Sequence, residues 1–425
     1  MRHVKLHLEH EIIEGLLVTE DEKRYTLKLS SGYNIGIQKH RVQRVEEIVI
    51  VPSHSKIAEH KTPTHQSTAL PKILILHTGG TIASKVDYRT GGVIPRFSPQ
   101  DLIEMFPEVK ELASIDSELF RSMWSEDLRF VHYNLLAERV AVEIKKNPDI
   151  KGVIIAHGTD TIHYTTAALS FIFEHLPIPV VIVGSQRSSD RGSSDAAINL
   201  VSAVAFIANT SLNGVFICMH ENMNDDSCII LNGLNARKMH SSRRDAFKPI
   251  NVPPIARVDY NSRSVEYLSE YPESILNTPG VLKLHLFNPG LKIGILKSHP
   301  NMFVEEILCY KNFDGLILEG TGLCNFPVNK IDEYTDEHVN IMDALRSLAQ
   351  KMPVVMALQT VYGRVNMNVY QTGRDLQTTG ILGNHSSLTS ETAFIKLAWL
   401  ISQKLDPQEY FMKDLRGELS GKSVE

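Results

Sequence analysis

The sequence predicts an α/β protein built from two parallel-sheet domains and preceded by a small β-barrel, and three observations carry that prediction. Apolar runs ending in glycine (KILILHTGG, KGVIIAHG, PVVIVG) alternate with helix-length segments such as AERVAVEIKKN and DAAINLVSAVAFIAN. A shorter series of the same kind, LKIGILKS, FDGLILEG and PVVMALQT, follows later. The first fifty residues instead alternate apolar and polar side chains with period two. At 425 residues and 43% hydrophobic content, the chain exceeds what one core usually spans.

Residues 12 to 48 carry the short segments IIEGLLV, YTLKLS, YNIGI and VQRVEEI between charged or glycine-containing turns, so residues 1–51 read as a β-barrel module. Residues 52–70, PSHSKIAEHKTPTHQSTAL, shift to Ser, Thr, His, Lys and Pro with little apolar periodicity and read as a linker. The first α/β domain is expected over 71–268, including the helix TIHYTTAALSFIFEH and the strand GVFICMH. A weakly patterned connection spans 269–290. The second, smaller domain covers 291–425 and closes with the helix ETAFIKLAWLISQKL.

A formal charge of −5 and a pI near 6.4 exclude a generally basic, nucleic-acid-coating protein. The first 48 residues balance eight Lys/Arg against eight Asp/Glu, so the barrel is expected to contact protein, or to pack on the chain's own α/β core, rather than bind RNA. Cys218, Cys228, Cys309 and Cys324 form neither a CxxC pair nor a disulfide framework, which fits buried thiols in a reducing cytoplasm. MRHVKLHLEHEIIEG lacks an apolar signal core, and FIFEHLPIPVVIVG is interrupted by Glu174, His175 and two prolines; a soluble, cytoplasmic protein without membrane contact is expected. No P-loop or HExxH spacing occurs, and the eighteen histidines are scattered, so no metal or cofactor is expected on this chain.

In doubly wound sheets ligands sit beyond the carboxyl ends of the strands, so the loops there are where chemistry is sought. TGGTIAS lacks the Lys-Ser/Thr of a phosphate loop and the GxGxxG of a dinucleotide site. It leaves Thr81 at the mouth of the sheet beside backbone N–H groups, as an acyl-transfer nucleophile requires; the plainer reading is a turn and helix cap. HGTDT places Thr159 and Asp160 at the same edge. A threonine hydroxyl needs a proton acceptor, and a lysine near a carboxylate supplies one, but residue chemistry alone does not choose among the lysines. Lys238, in NARKMHSSRRDAF, stands out only weakly.

TGGTIAS, HGTDT and ARKMHSSRRDAF, in this order, resemble the L-asparaginase/glutaminase family. VDYRTGGVIP, VGSQRSSDRGSSDAAINL, VYGRVNMNVYQTGRDL and the N-terminal LKLSSGYNIGI are similar, within it, to the D-subunit group of archaeal glutamyl-tRNA(Gln) amidotransferases. The resemblance implies an asparaginase-like two-domain fold over residues 71–425. It implies Thr81 as nucleophile, Thr159, Asp160 and Lys238 as the proton-handling set, and Tyr88 as a lid residue. Gly80, Ser125 and Glu126 would bind the amino acid, with Ser185 and Gln186 against its amide. The substrate implied is L-glutamine. The ammonia released would pass to the amidotransferase's E subunit, which uses ATP and magnesium to convert Glu-tRNA(Gln) to Gln-tRNA(Gln) and makes most of the tRNA(Gln) contact. The implied assembly is a homodimer within a heterotetramer. Cys324 and Asn325 stand where D-subunit relatives usually carry Gly-His; the family's asparagine there contacts substrate across a dimer interface, whereas Cys324 reads as a packed thiol. A free-standing L-asparaginase, a non-catalytic scaffold and an RNA-binding module are the alternatives.

Overall fold

The computed structural model describes residues 2–9, 11–29, 34–48, 70–80, 84–86, 93–95, 106–189 and 193–422. Most of the expected linker therefore lies outside the described residues.

The N-terminal module is a five-stranded antiparallel sheet of β1 (Arg2–His7), β2 (Ile12–Glu20), β3 (Arg24–Lys28), β4 (Asn34–Gln38) and β5 (Arg44–Glu47), ordered β4-β3-β2-β1-β5. Period-two alternation turns Val4, Leu6, Leu17, Leu27 and Ile37 into one small core. The expectation omitted β1: RHVKLH alternates correctly, but its charged half masks the apolar one. β1 is central, pairing with β2 and β5.

The next half centres on β6 (Lys72–His77), followed by the hairpin β7 (Ser84–Val86) and β8 (Val93–Pro95), then β9 (Ser114–Leu119), β10 (Ile150–Ala156), the short β11 (Phe173–Glu174), β12 (Pro179–Val183), β13 (Gly214–His220) and β14 (Ser227–Asn232). β15 (Ala236–Lys238) and β16 (Phe247–Pro249) form a separate hairpin, and β17 (Ala256–Asp259) and β18 (Val265–Tyr267) complete the sheet order β18-β17-β14-β13-β12-β10-β6-β9. From β9 to β13 the pairing is parallel, as expected. From β13 to β18 it is antiparallel, over strands after β13 that the sequence reading does not name. Only residues 221–226 separate β13 from β14, too few for the crossover a parallel pair needs. Both faces of the sheet are covered. Leu74, Leu76, Val153 and Ile155 face α2 (Phe130–Lys146) and α3 (Ile162–Ile172), whereas Ile73, Ile75 and Ile154 face α1 (Val109–Leu112) and α4 (Ala196–Asn209).

After β19 (Lys283–Leu284), which pairs with β11, the second half is a parallel three-stranded sheet of β20 (Ile293–Lys297), β21 (Gly315–Gly320) and β22 (Val354–Leu358). α5 (Val304–Leu308) and α6 (Glu337–Ala349) cover one face, and α7 (Gln371–Thr378) precedes α8 (Ser390–Ser402) and α9 (Pro407–Tyr410). α8 is wedged between the halves. Its Leu397 and Leu400, fully buried, share one core with Phe171 and Ile172 of α3 and with Ile317 and Val355 of the second sheet. Each such leucine contributes about 1.5–3 kcal/mol of burial, so the halves are bonded through the helix rather than merely adjacent. No helix among the described residues is long and apolar enough to cross a membrane.

Candidate active site

Four strands end at one edge of the central sheet: β6 at His77, β9 at Leu119, β10 at Ala156 and β12 at Val183. Because they are parallel, their last backbone groups run out of ladder partners together, and the following loops must supply new ones. Thr78 N–H donates to Ala156 O at 3.0 Å, and Met123 N–H donates to Thr78 O at 3.1 Å. Glycines permit the rest. Gly79 and Gly80 hold φ values of +104° and +79°. A Cβ on Gly80 would lie 2.5 Å from Gly158 Cα, one on Gly158 2.9 Å from Ser125 Cβ, and one on Gly184 2.7 Å from Thr159 Cγ2. The loops are thus laid backbone on backbone around Thr159.

The short hairpin delivers an amine to this point. β15 pairs with β16, with Lys238 opposite Phe247. Lys238 Nζ donates to Thr159 Oγ1 at 2.8 Å and to Asp160 Oδ1 at 2.7 Å. The lysine side chain is 9% exposed and the aspartate 68%. With one partner open to solvent, the Coulombic gain of the pair is screened to about 0–1 kcal/mol. Its value is geometric, since it holds the amine on the hydroxyl. An amine so placed, once unprotonated, can take a proton from a threonine hydroxyl and return it to a leaving group.

Below the loops the site rests on neutral imidazoles. Burial pushes His157 and His77 down to about 4. His157 Nδ1 meets Gly158 O at 2.7 Å and Nε2 meets Thr165 Oγ1 at 2.9 Å. A carbonyl can only accept, so Nδ1 carries the proton and Nε2 receives the Thr165 hydroxyl.

The other residues named from the sequence are placed as follows. Thr81 and Tyr88 lie outside the described residues. Gly80 touches Gly158, and Ser125 is buried behind it, its hydroxyl donating to Glu126 Oε2 at 3.3 Å; Thr161 Oγ1 donates to Ser125 O at 2.7 Å. Ser185 is at the expected strand end, but its hydroxyl donates inward to Asp195 Oδ1 at 2.9 Å. Asp195 also accepts from Gln186 N–H at 3.0 Å and Arg187 N–H at 3.1 Å, and Asn199 Nδ2 donates both to Asp195 and to Gly184 O. This buried Asp195–Asn199 anchor was missed in the sequence, although its i,i+4 spacing in SDAAINL puts both on one helix face. Asn325 Oδ1 accepts from Thr372 Oγ1 at 3.0 Å within its own chain, and burial pushes the Cys324 thiol up to about 11. Among the described residues no three His, Cys, Asp or Glu are grouped to hold a metal ion.

Comparison with known proteins gives a consistent set of likenesses. The family model for the N-terminal domain of asparaginase matches residues 72–272, and that for the glutaminase/asparaginase C-terminal domain matches residues 292–411. The D subunit of glutamyl-tRNA(Gln) amidotransferase from Thermofilum pendens is 38% identical over 431 residues, covering 97% of this chain and 91% of that protein. The D subunit from Methanococcus maripaludis strain C7 is 38% identical over 434 residues, covering 98% and 97%. Among solved structures, the thermostable L-asparaginase from Thermococcus kodakarensis superposes with a TM-score of 0.71 at 28% identity, covering 83% of this chain and 100% of its own. L-asparaginase I from Vibrio cholerae gives 0.68 at 28% identity with the same coverages.

Proposed function

Because the chain belongs to the glutaminase/asparaginase family, in its amidotransferase D-subunit group, we propose that it hydrolyses the side-chain amide of L-glutamine to glutamate and ammonia. The ammonia would be used by a partner, the amidotransferase's E subunit, to convert Glu-tRNA(Gln) to Gln-tRNA(Gln), with ATP and magnesium on that partner. The observation that carries the reading is the Lys238 amine held at hydrogen-bond distance from both Thr159 and Asp160. In this reading Thr81, next in the chain after Gly80, attacks the amide carbon; Gly80 lies against Gly158, which precedes Thr159. The hydroxyl proton passes through Thr159 to Lys238, the tetrahedral oxyanion is met by backbone N–H groups of the strand-end loops, and the amine leaves as ammonia with the returned proton. Water then cleaves the threonine ester, releasing glutamate. Ser125 and Glu126 would hold the carboxylate and amino group of the amino acid, and Tyr88 would close over it.

The second reading, a free-standing L-asparaginase, is favoured by the solved structures, which bear that name. One methylene separates the two substrates, and a pocket discriminates that by only about 1–3 kcal/mol. Steady-state ammonia release from each amino acid, by the purified chain alone and with its partner and charged tRNA, separates them. Glutamine turnover that rises with the partner is expected. Ready asparagine turnover by the isolated chain would establish the second reading, and silence toward both amides under every condition would leave a scaffold.

A further inference from the structure

Neighbouring residues of an extended strand face opposite ways. In β15, Lys238 faces Thr159 and Arg237 faces α8, in the other half of the chain. There Arg237 NH2 lies 3.0 Å from Glu391 Oε1, with the side chains 28% and 8% exposed. Glu391 stands in the first turn of α8, where the helix start favours a negative charge. The same helix start is fastened to the root of the hairpin, because Thr392 Oγ1 donates to Leu234 O at 2.8 Å. His163 of α3 approaches Glu391 Oε1 at 3.8 Å, but burial, then the Arg237 and Lys238 cations, hold its imidazole down to about 4, so it brings no charge. Glu391 Oε2 and His163 Nδ1 are both buried without a hydrogen-bond partner among the described residues. Arg237 is therefore the charge that compensates Glu391, and the reverse.

We infer that Glu391 is a positioning residue for the reaction: through Arg237 it holds the β15 strand so that Lys238 meets Thr159, and it cancels the Arg237 cation that would otherwise act on the Lys238 amine. The inference rests on Lys238 being the proton acceptor of the proposed amide hydrolysis. Among the described residues, the titratable or charged groups facing Lys238 are Asp160 at the strand-end turn, neutral His163 on α3, Arg237 on its own strand and, through it, Glu391 on α8. Asp245, in the same hairpin, is paired with Arg243 and Lys248.

The test is a charge cycle on the full chain: Glu391→Gln, Arg237→Met and the two together. Two readouts are taken: the rate at which acetic anhydride labels Lys238 at neutral pH, followed by peptide mass spectrometry, and the pH profile of kcat. An unmasked Arg237 disfavours the ammonium form, so Glu391→Gln should speed labelling by about three- to tenfold and move the acid limb of the profile to lower pH. An unmasked Glu391 does the reverse, so Arg237→Met should slow labelling and move the limb upward. The double variant should bring the labelling rate and the acid limb back within about twofold of the parent, while kcat itself stays below the parent's because the pair that holds β15 is gone. A merely structural role would shift both single variants the same way, and that result, or no shift in either, overturns the inference. Should Glu391→Gln fail to fold, Arg237→Met and the double variant decide between the same outcomes. If the parent chain hydrolyses neither glutamine nor asparagine, the functional reading falls, while the labelling cycle still decides whether Glu391 governs Lys238.

Discussion

Two of the chain's lysine–carboxylate pairs share the same chemistry in opposite settings. Lys238 meets Asp160 at 2.7 Å beside an aspartate that is 68% exposed. Lys396 of α8 meets Glu418 with neither side chain exposed at all. The second pair is itself well hydrogen-bonded: Lys396 Nζ donates also to Lys413 O, the N–H groups of Leu415 and Arg416 donate to the Glu418 carboxylate, and Asn235 Nδ2 donates to Glu418 O. Burial draws the Lys396 amine below its ordinary value. It works against the Glu418 carboxylate too, but Lys396, Asp414 and the backbone donors outweigh it and hold that group low. The difference teaches that a lysine–carboxylate contact acquires a function from what is left open around it. The closed pair fixes the path of the C-terminal segment. The open pair leaves the Asp160 carboxylate in solvent, while the Lys238 side chain is 9% exposed and Thr159 beside it is buried.

If that distinction holds, removing each lysine should damage different quantities. Lys238→Ala is expected to lower kcat by at least about a thousandfold, the scale of a lost general base together with its positioning, while the melting temperature stays close to that of the parent. A loss of tenfold or less would break the comparison, because Lys238 would then be no more chemical than its buried counterpart. Lys396→Ala should leave Glu418 as an uncompensated buried charge and cost about 3–5 kcal/mol in a denaturant titration, with kcat per folded molecule retained. Unaltered stability there would show that the closed pair contributes nothing its surroundings do not. A third, smaller effect separates the floor of the site from the pairs. His77, His157 and His163 are held neutral by burial at about 4, against an unfolded value of 6.5. A histidine depressed in the fold costs stability as pH falls, because the unfolded chain binds the proton first. The loss starts near pH 6.5 and is complete near 4, with each contributing on the order of 1–2 kcal/mol at pH 5. Melting temperatures of His77→Gln and the parent, compared from pH 8 to 4.5, should converge as the pH drops; parallel curves would place the acid sensitivity elsewhere.

Much of this was legible in the residues, and the remainder has physical reasons for being hidden. The alternation of Leu74 with Ile75 and of Val153 with Ile154 onto opposite faces announces a sheet covered on both sides. The antiparallel run after β13 was also readable, from the brevity of ENMNDD, yet the strand GVFICMH looks the same in either direction. Lys238 is harder: a three-residue strand has no periodicity, and only likeness to a family singled it out, after which the structure set it against Thr159 and Asp160. Arg237 and Glu391 were invisible, because nothing local in ARKMH or TSETAF reveals that two distant segments share a buried charge. The nucleophile role of Thr81 rests on its place after the glycines at a strand end and on the resemblance.

The continuous core that joins α3, α8 and the second sheet removes any seam between the two matched regions. A hybrid made by exchanging one half for that of a relative would have to re-fit Phe171 and Ile172 against a foreign Leu397 and Leu400, and would inherit an Arg237 facing an untried counterpart. What looks like two modules in the sequence is thus held by one shared core.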